Sequence, residues 1–301
     1  MKKIVFLIVG IIAVSTASIF IRMAQGEISS LVISAYRLSV AVLFLVPFSI
    51  KSIKSDFYKI NGTETLLLIL SGICLALHFF TWITSLELTT VSSSVVLVTT
   101  TPIWVAILTP IILKTKIKRE IFWGISLALL GGLIIVFGNL LLFSGFKDVF
   151  IKDQIFGSIS IKGNLLALSG AWFASGYIII GKKLRKNISI LSYTTIVYGV
   201  AAIILLVSVI IAGDSLFGYS LKNTIWLFLI AIVPQIIGHS TFNWALKYYS
   251  AAFVSIAMIG EPIGAILLAI IFLGEFPTLI EVFGGLIIII GIVIAAINEP
   301  K

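Results

Sequence analysis

Long apolar stretches broken by short polar ones set the pattern of this chain. Runs of about twenty apolar residues, the length that carries a helix across roughly 30 Å of hydrocarbon, fall at approximately 4–23, 29–50, 65–86, 91–113, 120–139, 162–181, 189–212, 224–246, 251–273 and 279–297. Ten such runs predict an all-α membrane protein of ten transmembrane helices. The first run looks like a secretory leader, with Ser15-Thr16-Ala17 where cleavage would fall. It stays apolar to Ile21, too long for the core of a leader, so it is read as a retained span.

Composition supports the membrane reading. Of 301 residues, 60% are hydrophobic and only 11% charged, against about 25% charged in a soluble domain. Too few charges remain to hydrate a globule, so the lipid bilayer must face much of the surface. The lone Cys74 excludes a disulfide framework and a cysteine-based metal site. A net charge of +9 would suit nucleic acid, but the basic residues form short clusters between spans. That placement marks the cytoplasmic face, and no nucleic-acid partner is expected. With the N-terminus inside and the spans alternating, fifteen Lys and Arg fall inside and five outside, Arg37 lying within a span. The bias predicts a multi-pass protein of the cell membrane with both termini cytoplasmic.

Sliding the chain on itself by 160 residues lays the third to fifth runs on the eighth to tenth without a gap. Leu86 meets Leu246, Pro102 meets Pro262, Leu113 meets Leu273, Gly124 meets Gly284 and Gly131 meets Gly291. Each half holds an odd number of spans, so equivalent helices cross in opposite directions. The expected division is 1–139, a linker at 140–161 carrying Lys147, Asp148, Lys152 and Asp153, and 162–301. Inverted repeats of this kind characterise secondary carriers, whose substrate sits near the midplane between the halves. The paired glycines, one heptad apart in each half, and Gly260–Gly264 are expected to let helices pack closely.

Charged side chains at mid-span cost about 2.5–3.5 kcal/mol on insertion scales, so each one needs a reason. Arg37 has two readings, a bidentate site for a substrate carboxylate or phosphate and a fixed structural clamp. His78 and His239 are the only histidines, and under the 160-residue offset His239 falls on Phe79. His78 shares a helix face with Trp82, and His239 with Asn243. Each stripe needs a cavity or a buried partner. Glu261 precedes Pro262, which removes a helix hydrogen bond and is tolerated at that depth only where protein or a cavity solvates the backbone. A coupling carboxylate and a structural partner for Arg37 or a histidine are the two readings of Glu261. Glu87, Glu275 and Glu281 lie near span ends and read as boundary charges.

Several stretches together resemble the drug/metabolite transporter superfamily, closest to the EamA-type ten-helix carriers. They are Ala76–Leu86 with His78 and Trp82, Val98-Thr-Thr-Thr-Pro102, Gly238–Tyr248, Glu261-Pro262, and Phe272-Leu-Gly-Glu275 followed by Gly284-Gly285. Lys162–Leu168, closed by Gly181-Lys-Lys-Leu-Arg185, is similar to the start of a second EamA repeat. The resemblance covers nearly the whole chain. It implies two inverted five-helix repeats around a central cavity, transport of amino acids, nucleobases, sugars or drugs, often outward, and no cofactor. Carried onto this sequence, the cavity residues it implies are Arg37, His78, Trp82, Pro102, Trp104, Trp172, His239, Asn243 and Glu261. Val14–Ser18 departs from the Trp-Gly that relatives often carry, and Lys114-Thr-Lys116 replaces the acidic turn kept at Gly274-Glu275.

The expected partners are a small-molecule substrate and the bilayer, with a coupling proton or counter-solute and a monomer or homodimer left open. A lipid-linked sugar flippase of the same superfamily is the alternative. An intramembrane enzyme is disfavoured, because no nucleophile elbow, His-Glu-x-x-His helix or paired-Asp motif appears. No catalytic or metal-binding residues are therefore assigned. No ring of like charges or carbonyl-rich filter supports a channel.

Overall fold

The computed structural model of the protein describes residues 2–58, 60–89, 94, 97–131, 133–134, 158–261, 263–264, 268 and 279–296. The expected linker up to residue 157, together with Pro262, Leu273 and Glu275, lies outside the described residues. Within them the chain is helical: α1 (Lys2–Ser15), α2 (Ala17–Ala24), α3 (Ser30–Phe57), α4 (Gly62–Leu88), α5 (Thr101–Ile112), α6 (119–131), α7 (Ser158–Leu184) and α8 (Ile190–Ala212). Next come α9 (Leu221–Ile230), a π-helical segment (Ala231–His239), α10 (Ser240–Ala245), α11 (Ala251–Met258) and α12 (Leu279–Ala296). Six continuous helical stretches are long and apolar enough to cross a membrane. With α5, α6, α11 and α12, described in part, they make ten spans.

Local chemistry sets where these helices begin and bend. Ser29, Ser189, Ser220 and Ser250 each accept a backbone N–H of the following first turn. Asn61 and Glu64 form a reciprocal capping box ahead of α4, which satisfies donors that a helix start leaves orphaned. The first span breaks at Thr16. There the hydroxyls of Ser15 and Thr16 donate to the Ile11 and Ala13 carbonyls, both at 2.7 Å, a back-bonding that bends helices.

The 160-residue offset extends well beyond the spans that carry it in sequence. Arg22 donates to the Leu86 carbonyl at 3.2 Å, and its equivalent Lys182 donates to the Leu246 carbonyl at 2.9 Å. Gln25 donates to the Ile83 carbonyl at 3.1 Å, as Arg185 does to the Asn243 carbonyl at 3.0 Å. Each half thus uses the turn after its first span to satisfy the open carbonyls ending its third. Across the halves, a Cβ added at Gly10 would stand 2.8 Å from Thr241, and one at Gly170 would stand 3.2 Å from Thr81.

The glycine pairs meet crosswise. Gly124 faces Gly291 and Ala295, while Gly131 faces Gly284 and Ile288, so α6 and α12 run antiparallel with their backbones nearly touching. The loop contacts obey the same alternation. At one end of the molecule Ser189 N–H donates to Asp56 at 2.9 Å. At the other, Ser29 donates to Asp214 at 2.6 Å and Thr89 to Asn164 at 2.8 Å.

Candidate functional site

Several inward-pointing polar side chains have an unlike residue at the equivalent position of the other half. Arg37 pairs by offset with Val197, His78 with Gly238, Glu261 with Thr101 and Gln235 with Leu75. The scaffold repeats and its chemistry does not.

Between the halves lies a cavity of about 40 Å³, room for two or three water molecules. Arg37, His78, Trp82, Pro102, His239 and Glu261 line it, with Val14 and Ala17 of the first span and Ser255 of α11. The structure therefore brings six of the nine expected residues together, and the departing segment Val14–Ser18 supplies a small apolar wall.

Arg37 is fully buried, two turns into α3. Its guanidinium lies 4.0 Å above the Phe79 ring and 6.0 Å from that of Trp82, contacts in which an aromatic face attracts a cation. Its Nε donates to Gln235 Oε1 at 2.7 Å. Both terminal nitrogens are buried and have no hydrogen-bond partner among the described residues, so Glu261 is not hydrogen-bonded to them. His78 donates from Nδ1 to the Gly170 carbonyl at 2.9 Å, which fixes the tautomer of the neutral ring and leaves Nε2 as its acceptor. Its ring stacks on Trp82 with centroids 6.0 Å apart. His239 meets Phe79 edge-on at 5.2 Å and lies 6.5 Å from His78.

Gln235 escaped the sequence reading. It sits in the π-helical segment, directly after Pro234, which has no N–H to give the preceding turn. The widened coil closes with the Ser240 N–H on the Gln235 carbonyl, the i→i+5 spacing of π-helix, which recurs at functional sites. An amide beside a mid-span proline was the available signal.

Three of the expected residues do not line this cavity. Trp172 is 51% exposed. It occupies the face of α7 opposite Gly170, Ala171 and Ala174, the small residues through which this helix packs inward. Trp104 is half-buried, does not line the cavity, and keeps a buried indole N–H without a partner. Asn243 is buried but committed to scaffold. Its Oδ1 accepts from Tyr177 at 2.7 Å and its Nδ2 donates to Tyr198 at 3.1 Å.

Comparison with known proteins gives a consistent answer. The profile of the EamA-like transporter family matches residues 1–137 and again 161–297. A Clostridium kluyveri protein called an uncharacterized transporter is 27% identical over 304 residues, spanning 100% of this chain and 94% of its own. The uncharacterized transporter YdfC of Bacillus subtilis is 24% identical over 214 residues, 70% of this chain and 65% of its own. A solved crystal structure described only as that of a protein superposes with a TM-score of 0.74 at 11% identity. It covers 99% of this chain and 97% of its own, a likeness of fold alone.

Proposed function

The chain belongs to the EamA-like transporter family of the drug/metabolite transporter superfamily, and from that premise we propose that it is a secondary-active carrier. It moves small polar metabolites, amino acids or related solutes, outward by alternating access. The observation that carries this reading is the buried cavity between two inverted halves, whose largely apolar wall carries Arg37, His78 and Glu261. A pseudo-two-fold scaffold has two arrangements of similar energy related by exchanging the roles of its halves, and these open the cavity to opposite sides. The halves divide at 1–139 and 162–301. The excess of Lys and Arg at one end, Lys114–Arg119 and Lys182–Lys186 among them, places that end and both termini in the cytoplasm.

Glu261 is the candidate coupling group, a carboxyl facing the cavity from a half-buried position. Counterflow of labelled amino acids in proteoliposomes tests the proposal, with accelerated exchange as the expected result. Exchange of lipid-linked sugar with no hydrophilic metabolite carried would replace it with the flippase reading. Glu261→Gln should alter the dependence of uptake on an imposed proton gradient, and an unchanged dependence removes Glu261 from coupling.

A further inference from the structure

We propose that Arg37, held in place by Gln235, forms a carboxylate subsite in the central cavity, and that the carboxylate arrives with one positive charge of its own. The inference rests on the carrier reading and specifies what the cavity holds. Its starting point is an imbalance of hydrogen-bonding groups. Arg37 and Gln235 are both fully buried. Arg37 Nη1 and Nη2, Gln235 Nε2 and Trp82 Nε1 are buried and have no partner among the described residues. All four are donors. The amide orientation of Gln235 follows from its neighbour, since turning it over would set its NH2 against Arg37 Nε–H, donor against donor.

A buried donor without a partner costs about 1–3 kcal/mol, and more when charged. Arg37 and Trp82 line the cavity, so the donors of these two side chains amount to a site lacking its acceptor. The guanidinium edge carrying Nη1 and Nη2 matches a planar carboxylate through two parallel hydrogen bonds. Gln235 acts as the positioning residue. By accepting from Nε at 2.7 Å, it fixes the plane of the guanidinium and leaves the terminal edge for the ligand. Phe79, 4.0 Å beneath that plane, closes one face.

Charge balance supplies the second half of the inference. The cavity wall bears one guanidinium and one carboxyl, Arg37 and Glu261. With Glu261 ionised, an incoming carboxylate would leave one negative charge uncompensated in a desolvated space, which is strongly unfavourable. The balance closes if the solute carries its own ammonium, or if a proton enters with it.

Matched probe sets separate these cases. Each set holds an amino acid, its desamino acid, its decarboxylated amine and its carboxamide, over small, branched and aromatic side chains. Thermal unfolding of the purified protein reads binding, because ligands stabilise the state they occupy. Amino acids of at least one set should raise the unfolding temperature while the amine and carboxamide do not. Binding of the desamino acid with uptake of a proton from weakly buffered solution identifies the proton as the accompanying charge. Binding of the amino acid alone identifies the ammonium.

Arg37→Gln should weaken binding at least tenfold. Because that variant may fold poorly, Gln235→Glu is the sharper test. It keeps an acceptor for Arg37 Nε and so keeps the fold, but replaces a donor with a negative charge. Affinity should fall at least tenfold with the unfolding temperature of the free protein maintained. Full affinity in Gln235→Glu, or equal binding of carboxamides, overturns the subsite. Counterflow of solutes that lack a carboxyl, with none that carry one, overturns the subsite and leaves the carrier reading standing. Exchange of no solute at all sinks both.

Discussion

Alanine at Gly291 and alanine at Gly285 are the same chemical change in the same helix, α12, and the structure gives them opposite outcomes. A Cβ at Gly291 would stand 2.7 Å from the Gly124 carbonyl oxygen and 2.9 Å from the Ala128 nitrogen. Both are backbone atoms of α6, which cannot rotate aside as a side chain would. A Cβ at Gly285 meets nothing within 4 Å among the described residues. Each change gains about 1 kcal/mol of helix propensity. Gly291→Ala additionally pays for overpacking, typically about 1–3 kcal/mol. The two variants should therefore differ by about 1–3 kcal/mol in unfolding free energy, Gly291→Ala being the weaker, with Gly285→Ala at or above the parent. Reversible unfolding in mixed micelles measures the difference. Gly124→Ala adds a second check, since its Cβ would approach the Gly291 carbonyl oxygen at 2.7 Å. Once one methyl has pushed α6 and α12 apart, the second should cost less than it does alone. Equal stability of the Gly291 and Gly285 variants, or strict additivity of the Gly124–Gly291 pair, would refute the antiparallel contact that closes the two halves at the rear.

Two further predictions follow from groups outside the cavity wall. Asn243→Leu removes one partner each of the Tyr177 and Tyr198 hydroxyls, of which Tyr198 keeps Ser240 at 3.3 Å. It should cost about 2–4 kcal/mol, part of which Tyr177→Phe restores, while substrate affinity is little changed. Glu27, in the turn between α2 and α3, accepts from the Asn223 side chain and from the Ser220 hydroxyl and backbone N–H. These bonds, Asn223's foremost, hold its carboxyl below the usual carboxylate range. A depressed value means the docking is present above the ordinary value and lost as pH falls through the lowered one. Amide exchange in residues 213–220 should therefore quicken on acidification below pH about 4, and Glu27→Gln should abolish that response.

The ten spans and the offset were legible because both rest on features that repeat in the chain, apolar length and coincident Pro and Gly. The first and sixth spans hid their equivalence because it is kept in geometry rather than in identity. Arg22 and Lys182, or Gln25 and Arg185, share no side chain, yet each pair reaches equivalent carbonyls. His78 and Trp82 could be joined in sequence because i and i+4 share a face on a regular helix. Gln235 and Arg37 could not, being 198 residues apart and meeting where the helix loosens after Pro234. Trp172 was ambiguous in the sequence because an indole suits a cavity wall and a lipid-facing surface equally well. Only the small-residue face of α7 decides between them.

A cysteine at position 255, inside the cavity, tests alternating access most directly. Ser255 lines the cavity and is 1% exposed, and the lone native thiol is removed with Cys74→Ala. A membrane-impermeant thiol reagent is then applied to right-side-out and to inside-out vesicles carrying Ser255→Cys. A carrier that alternates predicts labelling from both faces, with a saturating transported solute slowing both. Labelling from one face only, with the other unreactive under every solute and gradient, would contradict the account.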